Sequence, residues 1–234
     1  MKLTACPIVL LLAVLLAPPA AAATECGEAA HPQISVEVDE KPAREDRSLS
    51  LADLSKIPSA SRRAGMEAYD RTLGLTEADI GAKADIDLVT VEDGQGGYCT
   101  RARSAKITLE WSTVVHIAAQ IPIGSCIDGV VSTHEQKHVT IDKQLIPIAR
   151  QVIEIALTSV IRRTVAGKSI EDSQRNLQDQ ARASINAAIN IFSVVRTRKQ
   201  LALDSKEEYD SVPRSCGIIE YLKVMRGSKP QAGT

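Results

Sequence analysis

After Gly129 the chain changes texture: no glycine recurs until Gly167, and a single proline, Pro147, interrupts the run. Glycine and proline are the residues that end helices, so a stretch this long without them reads as one long helix. The pattern predicts a helix over about 131–163, kinked at Pro147, where the ring removes a donor and crowds the previous turn. Val139, Ile141, Leu145, Ile146 and Ile148 fit its half-buried face, with Ser132 or Thr133 as N-cap and Glu135 at capping-box spacing from Ser132. A second helix is predicted over about 170–203, where Ile185, Ala188, Ile189 and Phe192 recur at i, i+3, i+4, i+7. Its other faces are rich in Gln, Arg, Asn and Asp, so it should pack on the first helix with one side in water.

Upstream the texture is β-like and turn-rich. Residues 34–38 alternate cleanly, 86–91 form a second candidate strand closed by Asp93-Gly94-Gln95-Gly96-Gly97, and 106–111 and 113–121 continue the pattern. Three or four strands are expected, with single helical turns or a short helix in 48–63 and 76–83. Strands first and helices after describe an α+β domain, here a mainly antiparallel or mixed sheet followed by two long helices.

The first residues, 1–23, read as a secretory signal peptide. Lys2 precedes a short apolar run, Pro18-Pro19 breaks it, and four alanines follow as a small-residue exit. The apolar stretch is too short for a comfortable membrane span. A soluble secreted or periplasmic protein is therefore expected, with one domain over 24–226 and a loose tail over 227–234. With 28 basic and 29 acidic side chains the charge is near neutral, which argues against nucleic acid as a partner. Aromatic residues make up only 3% of the chain, so the core must rely on Ile, Val, Leu and Ala. Cys26, Cys99, Cys126 and Cys216 follow the signal, enough for two disulfides in an oxidising compartment. Cys99 and Cys126 are the preferred couple.

The chemistry is concentrated in His134-Glu135-Gln136-Lys137-His138. One helical turn separates the two histidines, so both imidazoles leave the same face and can share one metal. Glu135 stands beside the first ligand, where its carboxylate can take a proton from a water polarised by the metal. This is the pattern of a zinc-dependent hydrolase, most often a peptidase.

A catalytic zinc needs three protein ligands, and two are in the motif. The third histidine of the extended metzincin motif is absent. Glu154 and Glu171 are candidates, Glu171 with the greater freedom. Asp142 lies one turn beyond His138 and suits support of a ligand better than ligation. The segment Glu207-Glu208-Tyr209-Asp210 ends the second helix, and an antiparallel return could bring Asp210 to the metal and the Tyr209 hydroxyl to an oxyanion. His116 reads as a half-exposed strand residue and His31 as a surface one.

The run from His134 to Asp142, two helices, then Tyr209-Asp210 and Cys216-Gly217 resembles a bacterial family of predicted secreted zinc-dependent proteases, defined by a domain of unknown function. Its members share the export signal, the His-Glu-x-x-His helix with an Ile-Asp-like step, and a downstream Tyr-Asp then His-Gly pattern. Cys216 stands where the family has histidine, and could be a thiolate ligand, half of a disulfide or a buried thiol; in an exported protein the disulfide is favoured. The resemblance covers about 88–217 and makes Asp210 the leading third ligand. It implies a zincin-like fold and an exported zinc peptidase acting on peptide or protein, with His134, His138 and Asp210 on Zn2+ and Glu135 as general base. Extended substrate would add along an edge strand, such as the one containing His116. The alternative is a non-catalytic exported module that binds metal or a partner on the same scaffold.

Overall fold

The computed structural model describes residues 31–57, 72–205, 216–218 and 221. The expected signal peptide, the C-terminal tail, Tyr209 and Asp210 lie outside the described residues.

Two strands dominate the sheet. β1 (Gln33–Glu40), β2 (Arg44–Asp46) and the single helical turn α1 (Leu51–Leu54) precede a long antiparallel hairpin of β3 (Gly74–Glu92) and β4 (Tyr98–Ile117). Asp93 shapes the hairpin turn, its carboxylate accepting the backbone N–H of Gln95 and of Gly97, each at 2.8 Å. Gly94 and Gly96 both take positive φ there, a conformation that strains any residue with a side chain. The hairpin corrects two expectations. Residues 76–83 are strand, because Thr76 to Lys83 pair in register with Val115 to Thr108 and the ladder overrides local preference. Residues 106–111 and 113–117 belong to one continuous strand.

β4 is central. β3 lines one of its edges from end to end, while β5 (Val165–Gly167), β1 and β2 follow one another along the other edge. β1 and β2 run parallel to β4, and β3 and β5 antiparallel, so the five-stranded sheet is mixed and three strands wide. Alternation along β4 turns Ile107, Leu109, Trp111, Val115 and Ile117 to one buried face. A register shift at Asp87/Leu88 re-phases the pair so that Ala102 and Ala105 also point inward.

That face is covered by α2 (Cys126–Ile161) and α3 (Ile170–Leu203), two long helices packed on each other. α2 begins earlier than the sequence suggests, with Ser125 as N-cap accepting from the Asp128 N–H. Ser132 and Thr133 are interior, and the Thr133 hydroxyl bonds back to the Gly129 carbonyl at 2.7 Å. α2 is long and apolar enough to cross a membrane; here Leu145, Ile146, Ala149, Ile153 and Leu157 pack against the sheet and against Leu177, Ala181, Ile185, Ala188 and Phe192 of α3. The single tryptophan and the single phenylalanine of the chain meet there, Trp111 and Phe192 edge to face with centroids 5.6 Å apart. A second apolar cluster gathers Leu51, Leu54, Val115, Ile117, Ile121, Ile127, Val131, Val139 and Ile218 at the start of α2.

Cys126 is bonded to Cys216, with Cα atoms 5.6 Å apart, which ties the start of α2 to the segment after α3. The expected Cys99–Cys126 pair is thereby overturned. Cys99 stands at the beginning of the 20-residue strand β4 and Cys126 beyond its end, so about 60 Å of extended chain separates them. Cys99 is itself disulfide-bonded.

Phe192→Ala should destabilise the fold by about 3–5 kcal/mol, the usual effect of emptying a fully buried aromatic site. Urea unfolding followed through Trp111 fluorescence measures this directly.

Candidate metal centre

The start of α2 is held by charge. Asp128 accepts the Gly124 N–H at 2.8 Å on one oxygen and the Arg47 guanidinium at 2.6 Å on the other, which joins the helix to the segment after β2. The next turns carry the motif. Seen from α3, which runs antiparallel, Arg196, Gln200 and Asp204 stand opposite Asp142, His138 and His134, each pair one helical turn from the next.

His134 Nε2, His138 Nε2 and Asp204 Oδ1 converge. Asp204 Oδ1 lies 3.2 Å from His134 Nε2 and 3.0 Å from His138 Nε2, and the two ring nitrogens are 3.2 Å apart. These three residues could hold a metal ion. Asp204 is the C-cap residue of α3 and 7% exposed. Behind His138, Nδ1 lies 2.5 Å from Gln200 Oε1, and the Gln200 amide donates to Asp142 at 2.6 Å and to the His138 carbonyl at 3.2 Å. Asp142 is 1% exposed and takes both of its oxygens to Arg196, at 2.8 and 2.9 Å.

Glu135 sits beside this cluster, under the start of β3. The Thr76 hydroxyl donates to its Oε2 at 2.8 Å. A Cβ at Gly74 would come within 2.7 Å of Glu135 Oε1 and of Val131 Cγ1, so only glycine lets the carboxylate tuck beneath the strand. Glu135 is thus a buried site residue and caps nothing.

The surroundings pull the two carboxylates apart. Burial pushes the Glu135 carboxyl up, against the pull of His138 and His134. Burial would also raise Asp204, but hydrogen bonds from His134 and His138 and their charge outweigh it and hold the carboxyl down at about 2. Burial opposes charge on His138, yet Asp204, Glu135 and Gln200 together raise it. The cluster is built to receive positive charge.

The structure brings His134, Glu135 and His138 together as the motif requires, and adds Asp204, which the sequence reading passed over in favour of Asp210. Asp142 backs His138 through Gln200, and its cationic partner is Arg196. Glu154 lies farther along α2 in a groove with Val38 and Pro147. Glu171 is in the first turn of α3, about 50 Å of helix from Asp204. His116 is buried in the central strand, 3.2 Å from Asp46 and 3.1 Å from Glu77, so it is neither half-exposed nor on an edge. His31 is exposed, as expected. Asp204 did have a signal in the sequence: Gln200 and Asp204 repeat the four-residue step of His134 and His138, and two helices of similar length folded back on each other set those pairs face to face.

No family model, curated protein or solved structure matches the chain.

The Arg47 bond and the Gly124 N–H hold the Asp128 carboxyl below the usual carboxylate range. Its contribution to stability is therefore complete above the ordinary carboxylate pKa and is lost as pH falls through the lower folded value. Asp128→Asn should cost about 1.5–3 kcal/mol at neutral pH, the worth of a charged hydrogen bond. It should also flatten the loss of stability on acidification, as read from urea midpoints across a pH series.

Proposed function

We propose that this protein is an exported zinc-dependent peptidase of zincin type, with His134, His138 and Asp204 as the protein ligands. The convergence of those three atoms beside a buried glutamate carries the reading. Ligand atoms 2.0–2.1 Å from a tetrahedral zinc stand about 3.3 Å from one another, close to the 3.0–3.2 Å separations of this cluster. Asp204 takes the part that the family resemblance assigns to Asp210.

Zinc bound there would polarise the scissile carbonyl and make water a stronger acid. Glu135 accepts the proton of the attacking water and returns it to the leaving amine. Its burial raises its proton affinity toward the value such a base needs, and the Thr76 hydroxyl holds Oε2 so that the other oxygen carries the proton. Tyr209 is the proposed oxyanion donor. Extended peptide would lie along β3, whose outer edge pairs with no strand among the described residues and whose first turn of chain crosses Glu135. The sequence of residues 1–23 and the Cys126–Cys216 disulfide support an oxidising, extracytoplasmic setting.

Purified protein should bind one zinc ion. His134→Ala and Asp204→Ala should abolish that binding, while Asp210→Ala should retain it. Glu135→Gln should keep zinc and lose at least 100-fold in cleavage of a broad peptide library, within the usual range for removal of a general base. Stoichiometric zinc without Glu135-dependent cleavage would leave a non-catalytic metal-binding module, and absence of zinc would defeat both readings.

A further inference from the structure

We propose that Gln200 is a positioning residue that fixes which ring nitrogen of His138 faces the metal, and that Asp142 and Arg196 fix Gln200. The proposal rests on the reading of His134, His138 and Asp204 as a zinc site.

Neutral imidazole carries one proton, and the nitrogen that bears it cannot bind a metal. The partner of the other nitrogen therefore decides the ligand atom. At His138 that partner is an amide, which can present either its oxygen or its NH2 group, so the amide must itself be oriented. Its far end faces two acceptors, Asp142 Oδ1 at 2.6 Å and the His138 carbonyl at 3.2 Å. Asp142 accepts from both Arg196 donors and has no proton to offer. Turning the amide over would set its oxygen against both acceptors in a buried site, where repulsion is poorly screened. The NH2 group must point to Asp142, the oxygen must point to His138, and at 2.5 Å it accepts the Nδ1 proton. In the neutral ring Nε2 is then the unprotonated nitrogen on the side of Asp204 and His134, where a metal ion would take the place of the proton that Nε2 donates to Asp204 when the ring is charged.

The relay runs over four side chains, two from each helix, and only the last touches a ligand atom. Asp142 and Arg196 thus act on the metal site from a distance, through the orientation of one amide. Gln200 also lies one turn before Asp204, so a single face of α3 supplies both a ligand and the support of another.

Imidazole nitrogen NMR of the zinc-loaded wild-type protein should show His138 protonated at Nδ1 and metal-bound at Nε2. Zinc affinity, from competition with a chromophoric chelator, should fall about 10- to 100-fold in Gln200→Leu. Asp142→Asn should fall comparably, because the new amide can donate to Gln200 and let it turn over. The double variant Asp142→Asn/Gln200→Glu restores an acceptor at His138 Nδ1 and should recover most of that loss, which a purely structural role would not produce. Zinc bound by wild type and by Gln200→Leu within twofold, or His138 bound through Nδ1, would overturn the proposal. If Gln200→Leu does not fold, the wild-type spectrum still decides. Wild type that binds no zinc would sink the zinc reading alone, and the metal-free spectrum at alkaline pH would then test the Nδ1 proton directly.

Discussion

The pairing of buried Asp142 with half-buried Arg196 sets the register on which the site depends. Two helices joined by apolar stripes alone can settle one turn apart at little cost, since ridges and grooves repeat along each helix. A slip of one turn, about 5.4 Å, would carry Asp204 away from His134 and part the buried Asp142 carboxylate from Arg196. The bidentate pairing of Asp142 admits one register. A buried ion pair contributes little net stability, because desolvation offsets most of the attraction, so its main effect here is to specify alignment. The interhelical pairs that follow, Gln200 with His138 and Asp204 with His134, are consequences of that alignment.

The polar cluster lies where the two apolar clusters meet. Val131 and Val139, which flank the motif on α2, belong to one, and Leu145, just beyond Asp142, belongs to the other. Low polarity around the site explains why the same two histidines affect two carboxylates so differently. Asp204 receives hydrogen bonds from both imidazoles and stays ionised, whereas Glu135 feels them only through charge and is dominated by desolvation. One environment therefore separates an ionised carboxylate from a carboxyl of raised proton affinity.

Much of this was legible in the chain. The ends of α3 and the far end of α2 followed from helical periodicity and from Gly167, because burial on one face leaves a pattern every three to four residues. The start of α2 did not, since it is held by Arg47, eighty-one residues from Asp128, and by a disulfide to Cys216. The first half of β3 was also hidden: its Ala, Gly and Asp residues carry no strand preference, and a long partner strand imposes the conformation. At the candidate site, the motif announced His134, Glu135 and His138, because those are local. Asp204, Gln200, Thr76 and Gly74 join them only through antiparallel packing and through the pass of β3 over α2, neither of which is written at a single position. For a third ligand the sequence points to Asp210, outside the described residues, whereas the carboxylate set against the two histidines is that of Asp204, six residues earlier at the end of α3.

The supports of the site fall into two mechanically separate sets. All three candidate ligands, and the relay behind His138, belong to α2 and α3, which are locked to each other by side-chain bonds. Glu135 is on α2 as well, but its carboxylate is oriented by Thr76 and accommodated by Gly74, both on β3. A shift of β3 relative to the helices would leave the ligand set intact and move the base, while a shift between the helices would do the reverse. Among the described residues β3 is held by its ladder to β4 along one edge only. The orientation of Glu135 therefore follows the position of β3, and the set of His134, His138 and Asp204 follows the packing of the two helices.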